Sequence, residues 1–185
     1  MTQKASIIFL HGASSSGKST LARALQNRIE KPFWHISIDH LRDARVLPSA
    51  RIRSGEFDWK ALRGPFFAGY HASLAAYAQA GNNLIVEHIL EGQGWQGQLA
   101  ALFAPFDMLF VALHCPLEDL RAREHARGDR PAGSAEQDFH TIHIGRQYDL
   151  ELDTRDGVEA NVERVLAAWQ AERGRSAFFS VVEGR

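Results

Sequence analysis

Short runs of consecutive apolar residues recur along this chain, each followed by a longer stretch whose apolar positions fall at helical spacing. The first run, Ser6-Ile7-Ile8-Phe9-Leu10, predicts a strand over about 5–10, and the stretch behind Lys18 reads as a helix to roughly Glu30. Phe33-Trp34-His35-Ile36-Ser37-Ile38 reads as strand two, ending at Asp39, with a short helix from Leu41 to Val46 after it. Pro48 to Asp58 has no period and reads as irregular. Trp59 to Ala80 is a long helix with Phe66, Tyr70, Leu74 and Tyr77 at helical spacing, and Gly81 follows at a favourable C-cap position. Leu84-Ile85-Val86-Glu87 predicts strand three, and 94–103 a helix ended by Pro105. Met108 to His114 predicts strand four, its unbroken apolar character suiting a sheet covered on both faces.

Beyond strand four the chain becomes more charged. Leu117 to Ala126 reads as a helix ending at Gly128, then a loop over 129–134 and a helix from about Ala135 to Gly145. Tyr148 to Asp153 alternates as strand five, and Val158 to Ala171 is the last helix. The tail holds Ala177-Phe178-Phe179-Ser180-Val181-Val182, which fits an extra edge strand or an ordered arm. Strands alternating with helices in this order predict an α/β fold with a mainly parallel sheet.

Between strand one and its helix stands Gly12-Ala13-Ser14-Ser15-Ser16-Gly17-Lys18-Ser19, the G-x-x-x-x-G-K-[ST] phosphate-binding loop in its required strand-to-helix context. Its glycines let backbone N–H groups turn toward phosphates, and the helix N-terminus, from Lys18 through Thr20, adds partial positive charge. Lys18 suits the β- and γ-phosphates and Ser19 suits Mg²⁺. A nucleoside triphosphate site, with ATP and Mg²⁺, is therefore expected.

Carboxyl ends of strands in an open α/β sheet face the ligand crevice, and Asp39, Glu87 and Asp153 fall there. Asp39 suits a base that takes the proton of an acceptor hydroxyl, or the N-cap of the helix it precedes. Glu87 suits a carboxylate directed at Mg²⁺, directly or through water, or an ordinary ion pair. His88 beside it is a candidate for acceptor binding or a plain structural histidine, and Arg42 faces the same side. Arg121, Arg123, Arg127 and Arg130 cluster ahead of a Gly-Asp-Arg-Pro loop. They fit a lid whose guanidinium groups close on the γ-phosphate, or a solvated helix face paired with Glu118 and Glu124. Thr154 and Arg155 follow strand five, where they suit the flank of an adenine or the cap of the last helix. Phe66 and Tyr70 belong to an aromatic stripe that fits core as well as an acceptor pocket.

Composition narrows the partners. The 185 residues carry 21 basic and 22 acidic side chains, a formal charge of −1, so no global field favours nucleic acid or an anionic membrane. No apolar run approaches the ~20 residues that span a bilayer. Cys115 is the only cysteine, which excludes an intrachain disulfide and fits a reducing compartment. With no room for a signal peptide ahead of strand one, a cytoplasmic protein is expected. The nine histidines show no H-E-x-x-H spacing.

Several segments together resemble the chloramphenicol phosphotransferase family of P-loop kinases: the loop at 12–19, Ile-Asp-His-Leu at 38–41 and Glu-Phe-Asp at 56–58. To these add Arg123-Glu124-His125-Ala126-Arg127-Gly128-Asp129-Arg130 with Ala132-Gly133, and Tyr148-Asp149-Leu150-Glu151-Leu152-Asp153-Thr154. The resemblance implies one three-layer P-loop kinase domain over 1–185, with a five-stranded parallel sheet, an arginine-bearing lid at about 121–140 and a tail from about 173. It also implies ATP-dependent phosphorylation of a small-molecule hydroxyl, the named acceptor being the primary hydroxyl of chloramphenicol. The family's base maps onto Asp39 and its lid arginines onto Arg127 and Arg130. Two stretches depart from the family pattern: Glu87-His88 stands where Asp-Asp is usual, and the segment from Pro48 to Trp59 adds Arg51 and Arg53.

Two other readings compete. A metabolic kinase acting on a nucleotide, sugar or sulfated nucleotide would use Arg51 and Arg53 for an anionic acceptor. A nucleotide-dependent switch or binding module lacks support, because the D-x-x-G and N-K-x-D motifs of guanine-nucleotide switches do not occur. Assembly into a homo-oligomer is compatible with every reading.

Overall fold

In the computed structural model the described residues are 4–127 and 133–180, with Arg127 described by its backbone alone. Five parallel strands form one sheet in the order β2-β3-β1-β4-β5: β1 (Ser6–His11), β2 (Phe33–Ser37), β3 (Asn83–Glu87), β4 (Asp107–His114) and β5 (Leu150–Asp153). Register sets Leu10 of β1 beside Glu87 of β3 and Val111 of β4, and Ser37 of β2 beside Glu87. The connection from β1 runs toward β2 on one side and that from its neighbour β4 toward β5 on the other, so crossovers leave these adjacent carboxyl ends in opposite directions and open a crevice there.

Side-chain alternation explains the three layers. Ile7, Phe9, Leu84, Val86, Met108 and Phe110 point to one face, which α4 (Trp59–Gln79) and α5 (Trp95–Phe103) cover. Ile8, Leu10, Ile85, Leu109 and Val111 point to the other, covered by α1 (Lys18–Gln26) and α8 (Val158–Gln170). Every strand-centre residue of β4 from Met108 to Leu113 is buried, as its continuous apolar run requires. Gly81 takes φ 95° just past α4, and the amides of Gly81 and Asn82 bond back to Ala78 and Tyr77. Tyr77 itself is 48% exposed, so the helical stripe leaves the core before it ends.

Element boundaries differ from the sequence pattern where side chains intervene. The helix α1 stops at Gln26, closed by the Asn27 amide on the Arg23 carbonyl, with Pro32 ahead. The next helix, α2 (Ile38–Asp43), starts three residues earlier than expected because Ser37 caps it: the Asp39 amide donates to Ser37 Oγ at 3.2 Å and the Ser37 amide to His40 Nδ1 at 3.3 Å. The segment read as irregular holds a short helix, α3 (Ser49–Arg53). Two helices, α6 (Leu117–Arg127) and α7 (Ser134–Thr141), form the arm beside the crevice. Strand β5 begins only at Leu150, because the Asp149 carboxylate turns inward to accept from the amides of Phe110 and Ala177, each at 2.7 Å, and from Ser176 Oγ.

Asp149 thereby anchors the described part of the tail as an ordered arm rather than an edge strand, while Val181 and Val182 lie outside the described residues. Ala177–Phe179 is a 3-10 turn, and Phe178 lies fully buried, its ring 5.0 Å from Phe9 and 4.9 Å from Phe110. No helix among the described residues is long and apolar enough to cross a membrane.

Candidate active site

The loop after β1 owes its shape to two positions. A Cβ at Gly12 would lie 2.6 Å from the Leu113 carbonyl oxygen, so only glycine passes beside β4. Gly17 has φ 94° and N-caps α1, which turns successive amides inward. Lys18 is buried and its Nζ donates to the carbonyls of Gly12 at 2.9 Å and Ala13 at 2.7 Å, so the ammonium stays inside the curve of the loop. The Ser14 amide donates to Asp138 Oδ2 at 2.8 Å, joining α7 to the loop.

Two cavities meet at the carboxyl ends of β1 and β3. The first, of about 550 Å³, is lined by the loop from Ser14 through Thr20 together with Asp39, Glu87, Arg123, Thr154 and Asn161. The second, of about 380 Å³, is lined by Ile38, Arg42, Phe67, His88, Ile89, Glu91, Ser134 and Asp138 and again by Lys18, Asp39 and Glu87. Those last three side chains stand at the junction.

Most of the residues read from the sequence gather here, and a few do not. Gly12 and Ala13 form the base of the loop rather than the cavity wall. Arg123 Nη1 reaches the Ser16 carbonyl at 3.4 Å and Cys115 Sγ at 3.5 Å. Arg42 lines the second cavity and pairs with Asp39 at 3.2 Å and Asp43 at 3.1 Å. Arg155 turns away, its guanidinium on Asp153 at 2.6 Å, and only Thr154 of that turn faces the first cavity. Phe66 and Tyr70 line a separate groove along β2, and it is the neighbouring Phe67 that walls the second cavity. The cap role weighed for Asp39 belongs to Ser37. Arg130 and the Arg127 side chain lie outside the described residues.

Four further residues enter unannounced: His35, Ser134, Asp138 and Asn161. Asp138 falls four residues after Ser134 on α7, a spacing that sets both side chains on a common face. His35 needed the register of β2 against β3 to be recognised.

Glu87 is the most constrained of these groups. It accepts from Ser19 Oγ at 2.9 Å through one oxygen and contacts His35 Nε2 at 3.0 Å through the other. Burial pushes its carboxyl upward, but the His35 bond, the Lys18 charge and the Ser19 bond together outweigh it and hold the group below the ordinary carboxylate value. An ionised carboxylate touching a hydroxyl is a hard oxygen pair, which fits Mg²⁺ held mainly by phosphate oxygens and water. Among the described residues no cluster of three or more His, Cys, Asp or Glu could hold a metal alone.

His88 lies one residue beyond Glu87. Its ring packs beside Phe67 and Trp95, with centroids 5.9 and 5.3 Å away, and its Nε2 meets His71 Nε2 at 3.0 Å. On the far side of β1, Tyr148 Oη joins His11 Nδ1 at 3.0 Å to His143 Nδ1 at 2.7 Å. Burial lowers His71 and His143 from 6.5 to about 4, His143 also through the nearby His114. These rings are neutral in the fold and protonate freely in the unfolded chain, so their contribution is intact above pH 6.5 and lost as pH falls toward 4. On the order of 1–3 kcal/mol should disappear between pH 7 and 5. Urea unfolding at those two values measures it, and a midpoint that stays put would contradict neutral burial.

A phosphate loop between the central strand and its helix, a buried carboxylate closing the next strand and an arginine helix above the loop define a P-loop kinase, a phosphotransferase. The profile of the family described as chloramphenicol phosphotransferase-like protein matches residues 5–170, and the chain belongs to that family. A Mycobacterium tuberculosis (strain ATCC 25618 / H37Rv) protein named "Putative O-phosphotransferase Rv2636" is 28% identical over 167 residues, 80% of this chain and 74% of that one. In fold the chain is similar to a gluconokinase from Sinorhizobium meliloti 1021, with TM-score 0.62, 23% identity and coverage of 89% and 91%. It is also similar to the Mycobacterium tuberculosis APS kinase CysC, solved with AMPPNP and APS, with TM-score 0.68, 16% identity and coverage of 91% and 99%.

Proposed function

We propose that this chain transfers the γ-phosphate of ATP to a hydroxyl of a small neutral molecule, chloramphenicol or a compound like it. The observation that carries the reading is the junction of the two cavities at Lys18, Asp39 and Glu87. A donor in the first cavity and an acceptor in the second would meet there.

ATP lies along residues 12–20, with Arg123 above the loop and Thr154 toward the base. Lys18 leans on the β- and γ-phosphates, and its neutralising charge grows in value as the oxygens gain charge in transfer. Ser19 and Glu87 would hold Mg²⁺, Glu87 directly or through water, and the ion would neutralise part of the phosphate charge. Asp39 accepts the proton as the acceptor oxygen forms its bond to phosphorus and the bond from phosphorus to the ADP oxygen breaks. Arg127 and Arg130 would close over the transferring group.

Charge around the second cavity supports a neutral acceptor. Its described lining has two cationic side chains, Lys18 and Arg42, against four carboxylates, Asp39, Glu87, Glu91 and Asp138. Arg51 is occupied by Glu56 and stacks on Phe57, and neither it nor Arg53 lines the cavity, which weakens the case for an anionic acceptor. Incubation with MgATP and a panel of hydroxylated antibiotics, sugars and nucleotides should give a phosphorylated antibiotic by mass spectrometry. Transfer confined to phosphorylated or sulfated acceptors would sink the reading.

A further inference from the structure

His88 lines the cavity proposed for the acceptor and is packed among aromatic rings. Its amide donates to the Leu10 carbonyl at 3.2 Å, which fixes the backbone beside β1. Phe67 and Trp95, 4.4 Å from each other, lie against one flank of the ring at interplanar angles of 28° and 17°, and Tyr70 meets its edge at 5.4 Å, so the ring is packed among aromatics. His71 takes Nε2. Nδ1 is left buried with no partner among the described residues, although the residue lines the cavity that also holds Asp39.

The pairing with His71 decides what that atom offers. Two neutral imidazoles facing each other through Nε2 share one proton, so one ring donates and the other accepts. A buried N–H without an acceptor is rarer and costlier than a buried lone pair without a donor. The proton between the rings therefore belongs to His88, His71 carries its own on Nδ1, and His88 Nδ1 presents a lone pair.

We propose that His88 Nδ1 accepts a hydrogen bond from a second donor group of the acceptor, an O–H or N–H near the hydroxyl that is phosphorylated, and that His71 is the positioning residue that sets this tautomer. The proposal rests on the acceptor reading above. A site built to bond a polar group discriminates against analogues that lack it, because its own buried atom is then left unpaired. The acceptor class is thus a neutral diol or hydroxy-amide rather than a simple alcohol.

The full chain labelled with ¹⁵N-histidine, titrated with chloramphenicol, tests it first. We expect His88 Nδ1 to read as unprotonated in the free protein and to shift toward the hydrogen-bonded range on titration. A protonated Nδ1, or one that does not move although chloramphenicol is phosphorylated, overturns the proposal. Kinetics form the second arm, comparing chloramphenicol with its analogue lacking the secondary hydroxyl. His88→Phe should raise KM for chloramphenicol about tenfold or more and erase the difference between the two compounds, with KM for ATP unchanged. His71→Ala should do the same and His71→Gln should restore the preference, since its amide oxygen can accept from His88 Nε2. A preference that survives His88→Phe overturns the proposal. If the wild-type chain phosphorylates neither compound, the acceptor reading fails, and the protonation state of His88 Nδ1 in the free protein alone then decides for or against the histidine pair.

Discussion

Asp39→Asn lowers turnover by about 10²–10⁴-fold, the usual worth of a positioned general base. Asparagine keeps the size of the side chain and an oxygen that still accepts from Arg42, which stands 3.2 Å away in the native pair. It cannot take a proton. Ser37, not Asp39, caps α2, so the helix start survives the change and the loss falls on chemistry rather than on folding. Affinity for ATP should stay within about twofold, because the loop and Lys18 supply most phosphate contacts. Steady-state kinetics with the best acceptor of the panel, alongside calorimetric ATP titration, separates the two quantities. Turnover equal to wild type would remove Asp39 from the mechanism.

Phe178→Ala should cost about 3–5 kcal/mol of stability, the range for emptying an aromatic ring from a closed core. The ring is fully buried in the same cluster as Phe9, Phe103 and Phe110. Its carbonyl accepts from Gln96 Nε2 at 3.1 Å, so the turn is tied to α5 as well as to Asp149. Against a total of roughly 5–15 kcal/mol such a loss is large. It should appear as a drop in the urea midpoint without a change in KM for ATP, since Phe178 lines neither cavity. A midpoint within experimental scatter of wild type would mean that the tail is dispensable.

Part of the site is legible in the sequence alone and part is not. The phosphate loop could be read directly because all its requirements are local: glycines for two backbone shapes, a lysine and a serine at set spacing, a strand before and a helix after. Asp39 and Glu87 could be read because a strand end is a local feature and strand ends share one edge of a parallel sheet. Arg155, open in the sequence between an adenine flank and a helix cap, pairs with Asp153 two residues away. Phe66 and Phe67 show a finer limit, since a helix turning 100° per residue sends neighbours to different walls, and apolar spacing alone does not say which one meets the cavity.

What the sequence by itself determined was the α/β alternation, the phosphate loop and the carboxylates that follow the strands, for each depends on residues within about one turn or one strand of one another. Only the tertiary structure decided that His35 holds Glu87, that Asp138 sits on the Ser14 amide, that His71 faces His88, and that Phe178 closes the core. Those contacts join residues 17 or more positions apart, up to the 169 between Phe9 and Phe178, and they arise from strand order and register. The order β2-β3-β1-β4-β5 sets β3 between β2 and β1, and that placement brings His35, Glu87 and the loop together. Local spacing carries no information about strand order, because any order of the same five strands would satisfy the same apolar pattern.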